Sequence, residues 1–215
     1  MVVDAKICGL VRPADAAFAV AHGAWRLGVI FAGGPRNVTT AQARAIVDAS
    51  GGVPVLGVFG PSPVGTMLER VADAGLLGVQ LYGAHESHVA GELRAAGLEV
   101  WPVVPVRDGM DLAATLARAA ASADAVLIEA SVEGGSGGKG IPVDHGLARR
   151  ARLAAPGVRF VLAGGLTPGS VGDAIRVVGP DAVDVSSGVE SSPGVKDHAR
   201  LARFLENVLA ARPAA

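Results

Sequence analysis

The sequence predicts a (βα)8 barrel, an α/β architecture in which residues 1–215 form one domain. Three observations carry that expectation. Short runs rich in Val, Ile and Leu recur, each followed by a turn signal and a longer Ala-rich stretch with helical spacing, the pattern of repeated strand–helix units. The runs are apolar almost throughout rather than alternating, so both faces need cover, and a parallel sheet wrapped by helices supplies it. There are eight such units in 215 residues, and eight is the number that closes a sheet and removes both edges. An open doubly wound sheet is the alternative.

Taken in order, the first strand is expected at residues 2–8 and its helix at 14–22, ending where Gly23 offers left-handed backbone. Strand 26–31 leads through a glycine-rich loop to helix 40–49, for which Thr39 or Thr40 is the N-cap candidate. Strand 55–59 and helix 63–74 follow, the helix closed by Gly75; strand 79–81 and helix 86–96 come next, closed by Gly97. The second half pairs strand 99–104 with helix 110–121, strand 125–129 with 144–155, strand 159–162 with 169–177, and strand 182–186 with 197–211. No Pro/Ser linker, charge run or low-complexity tract divides the chain.

The 19 basic and 20 acidic residues leave a net charge of -1, which argues against a nucleic-acid partner. The single cysteine, Cys8, excludes an intramolecular disulfide and a multi-cysteine metal site, and fits a cytoplasmic setting. Asp4 and Lys6 interrupt the first apolar run, so it does not read as a signal peptide, and no run approaches membrane-spanning length. Nothing in the residues separates a monomer from a homodimer.

A barrel places its chemistry at the carboxyl ends of its strands. Strand one ends in Lys6-Ile7-Cys8-Gly9. Lys6 and Cys8 share a face, roughly 7 Å apart along the strand. Cys8 is either a small buried hydrophobe or a reactive thiol, and an inward ammonium would favour its thiolate. In a closed barrel strand eight lies beside strand one, so Asp184 is positioned to neutralise Lys6 inside, the structural account of that lysine. After strand two, Arg36 has a planar fork suited to a carboxylate, a solvated surface arginine being the alternative. Glu129 ends strand six, where partial burial would raise its pKa toward general-acid service; otherwise it merely opens a loop.

Glu133-Gly134-Gly135-Ser136-Gly137-Gly138-Lys139-Gly140 looks like a phosphate loop but lacks the leading glycine of the nucleotide motif. The turns Ala163-Gly164-Gly165-Leu166-Thr167 and Ser186-Ser187-Gly188-Val189-Glu190 can present backbone N–H groups to an anion, and barrels often hold a substrate phosphate between the loops after strands seven and eight.

In this order, Lys6-Ile7-Cys8-Gly9, Gly28-Val29-Ile30-Phe31 with Pro35-Arg36, Gly57-Val58-Phe59, Val79-Gln80-Leu81, Gly134-Gly135-Ser136-Gly137, Leu162-Ala163-Gly164-Gly165-Leu166, Val183 to Glu190 and Pro193-Gly194-Val195-Lys196-Asp197 resemble the successive signatures of the phosphoribosylanthranilate isomerase family of tryptophan biosynthesis. The resemblance spans nearly the whole barrel. It implies an Amadori rearrangement of a small phosphorylated substrate, phosphoribosylanthranilate, without metal or organic cofactor. It assigns Glu129 as general acid, Cys8 as general base, Arg36 to the anthranilate carboxylate, and Gly135, Ser136, Gly164, Gly165, Ser187 and Gly188 to the phosphate.

Three positions depart from the family pattern. Glu129 stands where the family has aspartate; Tyr82 stands where it has histidine, with His85 expected on a helix surface; and residues 138–145 replace a short loop leading to F-D-W. Two other readings compete: a related sugar-phosphate barrel, such as the histidine-pathway isomerase or a ribulose-phosphate epimerase, and a silent barrel that only binds a phosphorylated metabolite.

Overall fold

The computed structural model describes residues 2–86, 88–130 and 144–211. Its order is β1 (Asp4–Ile7), α1 (Pro13–Ala21), β2 (Arg26–Ile30), α2 (Thr40–Asp48), β3 (Val55–Phe59), α3 (Val64–Ala74), β4 (Gly78–Leu81), α4 (Val89–Ala95), β5 (Glu99–Val106) and α5 (Leu112–Ala120). Then come β6 (Val126–Ala130), α6 (His145–Ala154), β7 (Phe160–Ala163), α7 (Val171–Val178), β8 (Ala182–Val185), β9 (Glu190–Ser192), β10 (Val195–Lys196) and α8 (His198–Ala210). The first eight strands pair in parallel, each with the next, and β8 pairs with β1 to close the barrel. The open sheet is thereby excluded.

Local chemistry sets the ends of the helices. Thr39 caps α2 in a reciprocal box with Gln42, so of the two candidate threonines it is the first that serves. Asp111, Asp144 and Asp197 accept backbone N–H groups at the starts of α5, α6 and α8. Gly23, Gly75 and Gly97 all take positive φ, as their places beyond helix ends require.

Side chains alternate along each strand, and the two faces build two cores. Outward residues such as Ile7, Val29, Val79, Ile128, Leu162 and Val183 pack with the helices into the larger cluster. Inward residues Leu56, Trp101, Val103, Leu127, Val161 and Ala182 form a smaller one inside the barrel. At the amino-terminal end Trp25 stacks on Trp101 at 5.7 Å between ring centroids, with the guanidinium groups of Arg26 and Arg159 each 4.1 Å from its ring. Among the described residues, no helix is long and apolar enough to cross a membrane.

Nearer the carboxyl ends the interior turns polar. Lys6, 0% exposed, donates to Asp184 Oδ1 at 2.7 Å and to Gln80 Oε1 at 2.9 Å, and Lys6 and Asp184 are register partners across the β1–β8 closure. Burial alone would pull the Lys6 pKa down, but the Asp184 charge beside it holds it above its ordinary value. The structural account of Lys6 is thus the one observed.

Two elements differ from the sequence expectation. Helix α4 begins at Val89, so His85 lies in the loop before it, half-buried, with Nε2 3.2 Å from the Tyr82 carbonyl oxygen. Glu86 and His88 are exposed polar residues with no apolar side chain to anchor a helical turn there. The segment after β8 forms an unforeseen antiparallel hairpin, β9–β10, before α8.

Because removing one partner of a buried ion pair leaves an uncompensated charge, Lys6→Met is expected to cost about 3–5 kcal/mol of stability in denaturant unfolding. Adding Asp184→Leu is expected to recover most of that loss. A single variant within experimental error of wild type would contradict this account of the interior.

Candidate active site

Cys8 follows β1, and its backbone N–H donates to the Val185 carbonyl of β8 at 2.8 Å. Opposite it on β2 stands Gly28, whose missing side chain is what admits its neighbours: a Cβ there would lie 2.9 Å from Cys8 Sγ and 3.1 Å from Lys6 Nζ. Cys8 as a whole is 5% exposed. Burial pushes its pKa up, Lys6 and Lys196 oppose the rise, and Asp184 adds to it. The inward ammonium foreseen from the sequence is present and opposes the rise, yet burial outweighs it, and the Asp184 carboxylate paired with it at 2.7 Å adds to the rise.

Glu129 sits on β6 in register with Pro105 of β5 and Ala163 of β7. Its strand places it one step above Leu127 of the inner cluster, facing the barrel interior. Burial pushes its carboxyl pKa up to about 7; the Asp184 charge adds to the rise and Lys6 opposes it. The same ion pair thus acts on both groups, which sit on different walls of one barrel. Perturbed carboxyl and thiol groups sharing one interior are a signature of sites rather than of scaffolding.

Arg36 is not the solvated surface arginine that was the alternative reading, its side chain being only 14% exposed. Its fork engages a carboxylate of the protein itself: Nε lies 2.9 and 3.1 Å from Glu190 Oε1 and Oε2, and Nη2 lies 2.7 Å from Oε2. Nη1 stays outside that pair. Gly9 makes this placement possible, since a Cβ there would stand 2.7 Å from both Arg36 Cδ and Ser186 Oγ. Glu190 in turn accepts from Lys196 Nζ at 2.8 Å.

After β7, Gly164 and Gly165 turn the chain at φ of +99° and +60°. After β8, Ser187–Val189 form one short 3-10 turn. The two turns touch so closely that a Cβ on Gly188 would lie 1.9 Å from the Leu166 carbonyl oxygen. Gly135 and Ser136 lie outside the described residues, as does residue 138–143 of the longer loop; Asp144 and His145 open α6. Tyr82 follows β4, half-buried against the inner cluster.

Sequence reasoning missed Gln80, Glu190 and Lys196. All three lie within stretches that resemble the family's signatures, but nothing in those stretches names a partner or a role for them.

With the geometry set out, comparison with known proteins is decisive. The family model of N-(5'-phosphoribosyl)anthranilate (PRA) isomerase matches residues 5–207. The chain belongs to that family. The N-(5'-phosphoribosyl)anthranilate isomerase of Pseudomonas fluorescens (strain Pf0-1) is 39% identical over 211 residues, covering 96% of this chain and 98% of its own. Phosphoribosyl anthranilate isomerase from Thermus thermophilus superposes with a TM-score of 0.85 at 31% identity, over 98% of this chain and 100% of that one. A phosphoribosyl anthranilate isomerase in complex with reduced 1-(o-carboxyphenylamino)-1-deoxyribulose 5-phosphate superposes at 0.82 with 32% identity, over 96% and 98% of the two chains. Membership of the isomerase family agrees with the barrel and with the order of motifs along it.

The raised carboxyl group has a consequence for stability. Folding lifts the Glu129 pKa to about 7, so the unfolded chain releases this proton at lower pH than the folded one. Stability from this group is therefore full in acid, declines as pH rises from the ordinary glutamate range through about 7, and is flat above. Glu129→Gln is expected to remove that decline, so the variant gains on wild type between pH 5 and 8 in denaturant titrations. Parallel stability curves would contradict it.

Proposed function

We infer that this chain catalyses the Amadori rearrangement of N-(5'-phosphoribosyl)anthranilate to 1-(2-carboxyphenylamino)-1-deoxyribulose 5-phosphate in tryptophan biosynthesis. Beyond family membership, the observation that carries the residue-level reading is the pair of perturbed groups, Cys8 and Glu129, on the inner walls of β1 and β6 with Lys6 and Asp184 acting on both.

In this reading Glu129 gives its proton to the furanose oxygen, the ring C–O bond breaks, and an iminium forms on the anthranilate nitrogen. The Cys8 thiolate then takes the proton from the second sugar carbon, and the electron pair of that C–H bond neutralises the iminium as an enolamine, which tautomerises to the ketone. Arg36 orients the anthranilate carboxylate through the edge of its guanidinium not taken by Glu190. In this reading the phosphate rests against Gly164, Gly165, Ser187 and Gly188, on two turns that touch each other and can offer backbone N–H groups, and the resemblance adds Gly135 and Ser136. The partner is thus a small phosphorylated molecule, and a cytoplasmic setting fits the lone thiol.

Glu129 suits the acid role through its raised pKa, and its extra methylene reaches further from β6 than the aspartate the resemblance leads one to expect. The productive form needs an acid and a thiolate together, so the two groups hold one proton between them. Burial favours the opposite arrangement at rest, with the proton on sulfur above about pH 7. The productive arrangement is therefore a minority of the singly protonated enzyme.

Two measurements test this. Cys8→Ala is expected to abolish the loss of phosphoribosylanthranilate fluorescence while inorganic phosphate still protects the variant against thermal unfolding, and Glu129→Gln is expected to lower kcat by about a hundredfold or more. Full turnover in either variant overturns the assignment. The wild-type kcat/KM is expected to rise with pH through about 7, where the doubly protonated site loses its first proton, and to fall only when the raised Cys8 thiol ionises. An acid limb unchanged in a Glu129→Gln variant with residual activity would remove Glu129 from the scheme.

A further inference from the structure

Lys196 is 2% exposed and lies on β10, in the hairpin the sequence did not reveal. Its backbone is gripped at both polar atoms: the N–H donates to Asp15 Oδ2 at 3.1 Å, and the carbonyl accepts from Arg12 Nη2 at 3.1 Å. Arg12 and Asp15 are themselves paired at 2.6 and 2.8 Å. The Lys196 Nζ donates to the Cys8 carbonyl at 2.7 Å, the Ser186 carbonyl at 3.1 Å and Glu190 Oε1 at 2.8 Å.

These contacts join what the reaction needs to keep in register. Cys8 directly follows β1, Ser186 leads into the turn assigned to the phosphate, and Glu190 holds Arg36. Three acceptors take all three ammonium protons, which a neutral amine cannot supply. Burial pulls the Lys196 pKa down and Glu190 opposes it, but that full set of acceptors settles the charged form. Two cations, Lys196 and Arg36, then share the single carboxylate of Glu190, so the cluster carries one surplus positive charge for a ligand carboxylate to complete.

We propose that Lys196 is a positioning residue of the rim, a single joint that fixes Cys8, the β8 turn and, through Glu190, the orientation of Arg36. This rests on the isomerase reading for its kinetic consequences only. Lys6 does not fill the role, since Asp184 and Gln80 occupy it deeper in the barrel. The charged groups facing Cys8 are Lys6 on its own strand, Asp184 from β8, Lys196 from β10 and Arg36 from the loop after β2.

The test compares wild type, Lys196→Met, Glu190→Gln and the double variant in the full-length protein. Lys196→Met is expected to lower kcat and raise KM, each by about tenfold or more, because small displacements of reacting groups are costly. Glu190→Gln is expected to act mainly on KM. In the double variant KM is expected to be no worse than in Glu190→Gln alone, while kcat stays at the Lys196→Met value. The ultraviolet absorbance of the single thiolate gives a readout free of turnover: Lys196→Met shifts the Cys8 titration up, and Glu190→Gln shifts it down. A lysine without influence on the thiol would leave both titrations in place, and a lysine acting by charge alone would shift the titration without the losses in kcat and KM.

Should Lys196→Met fail to fold, Glu190→Gln alone still tests the joint by its downward shift and raised KM. Unmoved titrations, a kcat of Lys196→Met within twofold of wild type, or KM effects that multiply in the double variant would overturn the proposal. Wild type without turnover would sink the isomerase reading instead, leaving the thiol titrations to decide on Lys196.

Discussion

The buried contact between Lys6 and Asp184 is the constraint on which the rest of this barrel depends. It lies where the last strand meets the first, so it ties the closure of the sheet to the charge state of its interior. An ammonium with no exposure is tolerable only with its partner in place, and Gln80 and the empty face of Gly28 complete the setting that admits it. Because the pair is neutral as a whole, it neither strips the proton from Cys8 nor strips it from Glu129. Desolvation decides at both, and each keeps its proton above the ordinary range.

Much of this was legible from residue order. Strand β3 has the expected bounds, and the other barrel strands lie within a residue or two of theirs, because a strand covered on both faces must be apolar and turn residues fence it. Helix ends were legible where a side chain or a glycine performs a local task, as Thr39 and Gly75 do. What escaped depends on contacts distant in sequence. Nothing near Arg36 announces Glu190, 154 positions away, and nothing near Lys196 announces the carbonyl of Cys8, 188 positions away. The hairpin β9–β10 was hidden for the same reason, being held by α1 and the rim rather than by its own propensity.

The site was legible in part. Residue type and strand end singled out Cys8, Arg36 and Glu129, and the family resemblance gave them expected roles; the structure adds the surroundings of each. For Arg36 it also changes the account, since the guanidinium is not waiting in solvent but is already braced by a carboxylate. A braced guanidinium loses less freedom on meeting a ligand than a loose one.

The aromatic and guanidinium stack around Trp25 layers the amino-terminal side of the barrel interior. Solvent approaching from the amino-terminal side meets two indoles and two arginines before it reaches the level of Lys6. That layer stands between water on the amino-terminal side and the interior whose desolvation raises the pKa of Cys8 and Glu129. Loosening that floor would wet the chamber and alter the acid–base behaviour at the mouth, though the mouth itself were untouched.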